Sequence, residues 1–347
     1  MNIPLGFGIS LVVFITSYFL VSIIHHRAEK RRNLDIPNSR SLHSRPIPRG
    51  GGLAIVIVTL ICAGVLWYIH PLWSIRDFII LVLGGLIIAG ISYWDDLRPL
   101  PYWIRFAVHI AVASIVVIGI GYWRVLQLPF IGHLPLGWLG IPITLLWIVG
   151  MINAYNFMDG IDGIAGGQGV IAGLGWAILG WLSGQFLIAG LGLVLAASCL
   201  GFLGHNWPPA RIFMGDVGSA FLGYTFAILP VVTFQLDSLF AFAGVLLVWP
   251  FIFDTLFTFI CRLRRHENVF TAHCSHIYQR LVATGYSHKK IASLYIGLAI
   301  IGLACSVAIV MEWSWAYILT VVIIVVPLFL WLLTRRRERF ISKATNP

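Results

Sequence analysis

Long apolar runs recur along the whole chain and decide what it can fold into. Each is close to the roughly 20 residues that an α-helix needs to cross a bilayer. Only 10% of the residues are charged and 59% are hydrophobic, whereas soluble domains are about 25% charged. The sequence therefore predicts an all-α polytopic membrane protein, a single integral-membrane domain over residues 1–347. Eleven runs, with ten as the alternative count, lie near 3–24, 51–70, 77–94, 103–121, 138–152, 164–182, 186–204, 217–235, 238–260, 291–311 and 314–333.

Lysine and arginine are unevenly distributed between the connecting segments, and this bias predicts the orientation of the chain. If the N-terminus is outside and the C-terminus is cytoplasmic, only Arg76 and Arg124 of the 23 basic residues fall outside. Topology thus explains the net charge of +10, and no nucleic acid is expected as a partner. The same orientation puts every polar motif on the cytoplasmic side, where a shared active-site face is expected.

The most distinctive polar stretch, N-A-Y-N-F-M-D-G-I-D-G, occupies residues 153–163 between two apolar runs. Its polar side chains recur at a spacing of three: Asn153, Asn156, Asp159 and Asp162. On a helix this spacing would form a curved row of amides and carboxylates over one broad face. Oxygen ligands of this kind suit Mg²⁺. Taken alone, the stretch fits an ordinary polar helix end equally well.

Two further acidic motifs fall on the same predicted side. Asp95 and Asp96 end the third run, where adjacent carboxylates repel each other and oppose the helix macrodipole unless a cation is close. Residues 211–219, R-I-F-M-G-D-V-G-S, place Asp216 between two glycines at the start of the eighth run. Asp216 is placed either to hold a metal or to act as a simple N-cap, and Phe213 is placed to stack on a base.

Two basic segments complete this side. Residues 38–52, N-S-R-S-L-H-S-R-P-I-P-R-G-G-G, combine arginines and a histidine with three glycines, which suits phosphate but lacks the Lys-Ser/Thr of a P-loop. The predicted cytoplasmic substrate-binding loop, 261–290, holds His273 and His276 around Cys274. No fourth zinc ligand has suitable spacing, and histidines near Arg280 fit a pyrophosphate better. A solvated basic loop stays the competing interpretation for both segments.

With these motifs assembled, the chain resembles the polyprenyl-phosphate N-acetylhexosamine-1-phosphate transferase superfamily, glycosyltransferase family 4. That superfamily includes the WecA and MraY enzymes and the WbpL-like O-antigen initiators. The resemblance covers nearly the whole chain through five motifs in order: R-S-L-H-S-R-P-I-P-R-G-G, Asp95-Asp96, N-A-Y-N-F-M-D-G-I-D-G, F-M-G-D-V-G-S and the loop histidines.

The resemblance implies transfer of an N-acetylhexosamine 1-phosphate from a UDP-sugar to undecaprenyl phosphate in the bacterial inner membrane, with release of UMP. The sugar would be GlcNAc or a 6-deoxy relative such as FucNAc or QuiNAc. Mg²⁺, for which Mn²⁺ could substitute, would be held by Asp216 and Asn153. Asp95, Asp96 and Asp159 would be catalytic, the first two facing the acceptor phosphate. The implied substrate-binding residues are Asn156, Asp162, Phe213, His273, His276, Arg280, His43, Arg45 and Arg49, and a homodimer is left open.

Within that set, Asp159 and Asp162 would line the nucleotide pocket, Phe213 would stack uracil, and the loop residues would hold the donor pyrophosphate. The loop histidines are not adjacent, and the first loop lacks a lysine, unlike the phospho-MurNAc-pentapeptide branch. Both departures favour an O-antigen or teichoic-type branch, in which the reaction is the first membrane step of lipopolysaccharide or related envelope polysaccharide synthesis.

Three alternatives stay open. They are a phospho-MurNAc-pentapeptide transferase, a transporter or flippase for a lipid-linked anionic solute, and a non-catalytic scaffold. A transporter would be expected to carry ionisable residues near the bilayer midplane, yet the apolar runs are nearly free of charge, with Asp254 as the main exception. For a transferase, direct attack by the lipid phosphate is the favoured mechanism, and a covalent aspartyl-phosphate is the second.

Overall fold

The computed structural model describes residues 3–31, 33–37, 42, 45–69, 73–128, 132–268 and 274–345, and these are predominantly helical. Ten of the described helices are long and apolar enough to cross a membrane, and a bent pair supplies an eleventh span. The predicted all-α polytopic architecture with 10–11 spans is confirmed. The helices are α1 (Ile3–Lys30), α2 (Gly52–Ile69), α3 (Ile75–Leu97), α4 (Tyr102–Gly119), α5 (Gly140–Phe157), α6 (Ile164–Leu182), α7 (Phe186–Asn206), α8 (Asp216–Phe234), α9 (Ser238–Leu246), α10 (Trp249–Arg264), α11 (Ile277–Ala283), α12 (His288–Val310) and α13 (Ala316–Thr345).

Helix α8 lies in the middle of the bundle and is buried along nearly its whole length. It packs against α2, α3, α5 and α9. It is apolar all round, as expected for a helix surrounded by other helices. Because α8 starts at Asp216, this central position carries the 211–219 motif to the middle of one end of the bundle.

Helices α6 and α7 approach each other through small residues. A Cβ added to Gly169 would lie 2.7 Å from Cys199 Sγ, and one added to Gly173 would lie 2.5 Å from the backbone nitrogen of Ala196. Both neighbours belong to α7. Gly169 and Gly173, four residues apart, therefore form the small-residue helix contact that their spacing predicts.

The ninth span is not the continuous helix that the apolar run over 238–260 predicts. Helix α9 ends at Leu246, and α10 starts at Trp249 with its axis bent by 73°. Pro250 explains the break, because proline fits the first turn of a helix but cannot continue one. Gln168 of α6 donates to the Leu247 carbonyl at 2.8 Å and so satisfies a backbone group at the break.

Two short antiparallel strand pairs, which the hydropathy pattern does not predict, lie outside the helices. In the first loop, β1 (Leu34–Asp35) pairs with β2 (Ile47–Pro48). Between α4 and α5, β3 (Val125–Leu128) pairs with β4 (Gly132–Pro135). The strand pairs provide hydrogen-bond partners for backbone N–H and C=O groups in the segments that connect the helices.

Gly52 and Gly218 mark a close approach of α2 and α8, since a Cβ on Gly52 would lie 2.4 Å from the Cα of Gly218. Overpacking such a contact typically costs about 1–3 kcal/mol. We expect Gly52→Ala to lower the thermal midpoint of the detergent-solubilised protein. Gly64→Ala is the matched control, because nothing lies within 4 Å of its new Cβ in the same helix. Equal midpoints for the two variants would contradict this packing.

Candidate active site

The first basic loop is docked onto the 211–219 motif by its backbone. The Phe213 N–H donates to the Pro48 carbonyl at 2.8 Å, and the Gly51 N–H donates to the Phe213 carbonyl at 2.9 Å. The Arg49 guanidinium donates to the backbone carbonyl of Asp96 at the end of α3. Three motifs that are far apart in the sequence therefore meet at one end of the bundle.

Asp96 caps the central helix from a different helix. Its carboxylate oxygens accept hydrogen bonds from the N–H groups of Asp216 and Val217, each at 3.1 Å, and the residue is only 4% exposed. These are the first N–H groups of α8, which lack partners within that helix. Asp96 is thus stabilised by the positive end of α8, although it lies at the negative end of α3. Asp216 itself is the first residue of α8 and is not its cap.

Arg105 joins the other two carboxylates at this end. Its Nη1 lies 2.6 Å from Asp95 Oδ2 and 3.0 Å from Asp216 Oδ2. The Leu100 N–H donates to the second Asp95 oxygen at 2.6 Å, which fixes the carboxylate across the α3–α4 turn. Sequence reasoning counted Arg105 only among the inner basic residues. Its place as a lone cation inside the apolar run 103–121 marks the position, but the sequence does not show which carboxylates it meets.

The 153–163 stretch is helical over only half of its length. Helix α5 ends at Phe157, so Asn153 and Asn156 are helical, whereas Asp159 and Asp162 lie in the following turn. The continuous helical row that a spacing of three describes is therefore not formed. Gly163 at the end of this turn adopts φ 79°, a left-handed conformation that glycine adopts readily, and α6 starts at the next residue.

The two asparagines face different neighbours. Asn156 Nδ2 donates to Ser219 Oγ at 3.0 Å, and its side chain lies next to the Asp216 carboxylate. Asn153 Nδ2 donates to the Val149 carbonyl at 2.7 Å and lies 3.4 Å from His109 Nδ1. Of the predicted metal pair, Asp216 therefore contacts Asn156 in this structure, and Asn153 contacts its own helix and α4.

The turn after α5 is held by side chains from three directions. Asp162 accepts the Ala210 N–H at 3.1 Å, and its other oxygen lies 3.3 Å from His288 Nδ1. Asn206, at the end of α7, accepts the Gly163 N–H at 2.9 Å. Asn206 was not singled out from the sequence, since a single amide at a helix end carries no distinctive pattern.

Asp159 and Asp162 have opposite electrostatic environments although they are three residues apart. Burial raises the pKa of the Asp159 carboxyl well above its usual range, and the nearby carboxylates of Asp216 and Asp96 act in the same direction. Burial also acts to raise the pKa of Asp162, but the hydrogen bonds from His288 and the Ala210 amide outweigh it and leave that pKa below its ordinary value. Asp159 is thus the carboxylate with the highest cost of ionisation in this turn.

The predicted substrate-binding loop contains a helix of its own, α11. His276 precedes it, is 3% exposed, and places Nδ1 3.2 Å from Asp254 Oδ1. Arg280, within α11, forms a two-pronged ion pair with Glu338 of α13. Arg45 is exposed, and Phe213 is half-buried. His43 and His273 lie outside the described residues, so their predicted roles stay predictions.

The donor set at this end suits a hard cation only in part. The oxygen atoms of Asp216, Asn156 and Asp95 are of the type that Mg²⁺ prefers. Within the described ranges, however, no group of three or more His, Cys, Asp or Glu side chains is arranged to hold a metal ion. This fits Mg²⁺, which usually takes one or two protein carboxylates and completes its shell with phosphate oxygens and water.

Comparison with known proteins identifies the family of this chain. The family model described as glycosyl transferase family 4 matches residues 78–234. The probable undecaprenyl-phosphate N-acetylglucosaminyl 1-phosphate transferase of Bacillus subtilis is 36% identical over 282 residues, which cover 80% of this chain and 78% of that protein. The chain belongs to glycosyl transferase family 4. It is a multi-pass membrane transferase, and the family segment contains Asp95, Asp96, the 153–163 stretch and Asp216.

Two other relatives show the range of this glycosyl transferase family. The decaprenyl-phosphate N-acetylglucosaminephosphotransferase of Mycobacterium leprae is 30% identical over 333 residues, covering 86% of this chain and 83% of that protein. The phospho-N-acetylmuramoyl-pentapeptide-transferase of Chlamydia muridarum is 33% identical over 268 residues, covering 71% and 77%. Their names agree that a phosphosugar is transferred, and they differ in the sugar.

The opposite environments of Asp159 and Asp162 generate a pH-dependent stability prediction. Because the folded-state pKa of Asp159 is raised, its ionisation lowers stability as pH rises from the unfolded pKa through the folded pKa. We expect Asp159→Asn to raise the thermal midpoint by roughly a few degrees near pH 8, with the gain vanishing as pH falls to the unfolded pKa of about 3.9.

Asp162→Asn is the matched comparison. The folded pKa of Asp162 is lowered, so its ionised form stabilises the protein above the unfolded pKa of about 3.9, and this stabilisation is lost as pH falls through the folded pKa. Asp162→Asn should therefore lower the midpoint at neutral pH. Thermal unfolding of both variants and the wild type across this range checks the signs, and a destabilised Asp159→Asn at pH 8 would refute the first.

Proposed function

We propose that the protein transfers an N-acetylhexosamine 1-phosphate from a UDP-sugar to a polyprenyl phosphate, undecaprenyl phosphate in a bacterial membrane, and releases UMP. The observation that carries the proposal is the position of Arg105 between Asp95 and Asp216. A reaction between two phosphates needs cations to offset their repulsion and carboxylates to hold those cations in place. The relatives named above support the same reaction.

The proposed chemistry is a single displacement at phosphorus. A terminal oxygen of the lipid phosphate attacks the donor phosphorus that carries the sugar. A new P–O–P bond forms, the bond to the bridging oxygen of UMP breaks, and the electron pair leaves with UMP. A phosphate monoester with a second pKa of about 6 is already largely dianionic at pH 7, so no strong general base is needed. The protein's task is positioning and charge neutralisation.

Arg105 and Asp96 have separate roles in this proposal. Arg105, already held by Asp95, supplies positive charge to the acceptor phosphate. Asp96 keeps the start of α8 in place, so that the Asp216 carboxylate faces the same space. Mg²⁺, bound by Asp216 with Asn156 beside it, would neutralise the donor pyrophosphate as a Lewis acid. Asn153 would reach it only after leaving its contact with Val149.

The contacts of the carboxylates favour direct attack over an aspartyl-phosphate intermediate. Both oxygens of Asp96 accept backbone N–H groups, and both oxygens of Asp95 are held by Leu100 and Arg105. A carboxylate nucleophile would have to break such bonds before attacking phosphorus. A phospho-enzyme trapped at Asp95, Asp96 or Asp159 would overturn direct attack.

The sugar and pathway form the finer part of the proposal. We infer that the donor carries GlcNAc or a 6-deoxy relative and that the product starts an O-antigen or related envelope polysaccharide. The 36% identity to the probable N-acetylglucosaminyl 1-phosphate transferase of Bacillus subtilis, in an alignment that covers 80% of this chain, supports GlcNAc. The loop histidines His273 and His276 are not adjacent, and the first loop lacks a lysine, which supports a branch other than the pentapeptide transferases.

The test is UMP release by purified protein in detergent with undecaprenyl phosphate, Mg²⁺ and a panel of UDP-sugars that includes UDP-GlcNAc and UDP-MurNAc-pentapeptide. We expect lipid- and metal-dependent UMP with one N-acetylhexosamine donor. Asp216→Ala should abolish it because the metal loses its carboxylate, whereas Asp77→Asn, at the opposite end of α3, should not. Failure with every UDP-sugar would refute the transferase and favour the transport reading.

Arg105 gives a second, sharper prediction. We expect Arg105→Gln to lower kcat/KM by about 100-fold or more, since it removes a charge that faces the reacting phosphate and leaves Asp95 without its ion-pair partner. The loss of reaction rate should be larger at low lipid phosphate concentration than at saturation. Arg98→Gln is the matched control, because Arg98 is an exposed arginine in the connection between α3 and α4. Equal activity of the two variants would show that Arg105 is only a topological charge.

A further inference from the structure

Helix α11 lies directly on the turn that carries Asp159. The Tyr278 hydroxyl donates to the Phe157 carbonyl at the end of α5, at 2.8 Å. A Cβ on Gly160 would lie 2.1 Å from that hydroxyl, so only glycine leaves room for this contact. The position of α11 therefore determines the shape of the site above residues 158–163.

A helix of seven residues does not hold its position by itself. Isolated helices shorter than about 12–15 residues are marginal in water, so α11 depends on tertiary contacts. Besides the Tyr278 contact and the burial of Ile277 and Leu281, the structure supplies two carboxylates, each from a different membrane helix.

The first is Asp254 of α10, which is 1% exposed. Its oxygens accept the N–H groups of Ile277 at 2.8 Å and Tyr278 at 3.1 Å, the first two residues of α11. The same carboxylate lies 3.2 Å from His276 Nδ1 and accepts the Tyr295 hydroxyl of α12. Asp254 thus caps α11, orients the His276 ring and ties both to the bundle. It accepts all of these bonds from the protein itself, which is the arrangement of a positioning group.

The second is Glu338 of α13. Its carboxylate receives Arg280 Nε at 2.8 Å and Nη2 at 2.6 Å, a two-pronged pair that fixes orientation as well as distance. The pair raises the pKa of the Arg280 guanidinium further above its usual range. One residue away, the Arg337 guanidinium lies 4.1 Å from the centroid of the Tyr286 ring, just beyond the end of α11. The cytoplasmic end of α13 is therefore attached to the loop at two points.

We propose that Asp254 and Glu338 are positioning residues that clamp α11 over the donor side of the site, and that Arg280 serves this clamp rather than the donor pyrophosphate. The inference rests on the proposed transferase function for its kinetic consequence. It differs from the role that the family resemblance implies for Arg280, and it makes the last helix part of the catalytic architecture.

A charge exchange distinguishes the two roles of Arg280. The variants are Glu338→Gln, Arg280→Gln and the double variant Arg280→Glu with Glu338→Arg, and Glu29→Gln on α1 is the control. If the pair is a clamp, each single change should raise the KM for the UDP-sugar by about tenfold, with kcat and the KM for undecaprenyl phosphate nearly unchanged. The exchange should restore the KM to within about threefold of the wild type.

The opposite pattern would overturn the proposal. If Arg280 binds the donor directly, Glu338→Gln should have no cost or should lower the KM, and the charge exchange should stay as impaired as Arg280→Gln. A uniform loss of kcat with every variant would indicate a folding defect, which thermal unfolding of the same samples measures. These outcomes all reject a clamp between the two residues.

Hydrogen exchange separates this inference from the proposed function. If Asp254 and Glu338 clamp α11, the amides of residues 277–283 should exchange faster in Glu338→Gln and in Asp254→Asn than in the wild type. The double variant Arg280→Glu with Glu338→Arg should restore their protection to that of the wild type. That readout needs no activity. A wild type without UMP release but with this exchange pattern would refute the transferase and retain the clamp, whereas unchanged exchange would refute the clamp alone.

Discussion

The hydrogen bonds from the start of α8 to Asp96 are the interaction on which the rest of the site depends. Two adjacent carboxylates at the end of α3 face the negative end of their own helix dipole. The structure compensates for this by placing Asp96 against the positive end of α8 and Asp95 against Arg105. Three helix ends are thereby joined by charge, and the Asp216 side chain is held among them. Without this compensation, three carboxylates at a membrane boundary would repel one another.

This compensation is incomplete, because negative charge remains at this end of the bundle, and the remaining charge bears on the chemistry of the site. One guanidinium contacts two carboxylates, while burial, together with the acidic groups nearby, raises the pKa of Asp159. An excess of carboxylates of this kind would favour the proposed binding of a cation together with an anionic substrate. Arg49, donating to the carbonyl of Asp96, attaches the basic first loop to the same place. Acidic and basic motifs that look unrelated along the chain are thus complementary in space.

The features predictable from sequence were those that depend on local patterns. Apolar length predicts the spans, and the spacing of Gly169 and Gly173 predicts the contact with α7, because bilayer thickness and helix geometry act on short stretches. The role of Arg105 was not predictable, since it depends on a partner 111 residues away. The end of α5 at Phe157 was also missed, because a spacing of three polar residues does not show where a helix gives way to a turn. The bend before Trp249 was missed because hydropathy reads through a break that keeps an apolar composition.

The site combines two kinds of support, and the difference follows from what each side must do. The Asp95–Arg105–Asp216 group is carried on the ends of long membrane helices, so its geometry is fixed by the bundle. Helix α11 is too short to be fixed in that way and is held by Asp254 and Glu338 through side chains. In the proposed reaction, a water-soluble nucleotide enters and leaves on every turnover, whereas the lipid acceptor stays in the bilayer. An element held by a few ion pairs has the lower local stability that such exchange requires, and the same few contacts return it to one position when the donor is bound.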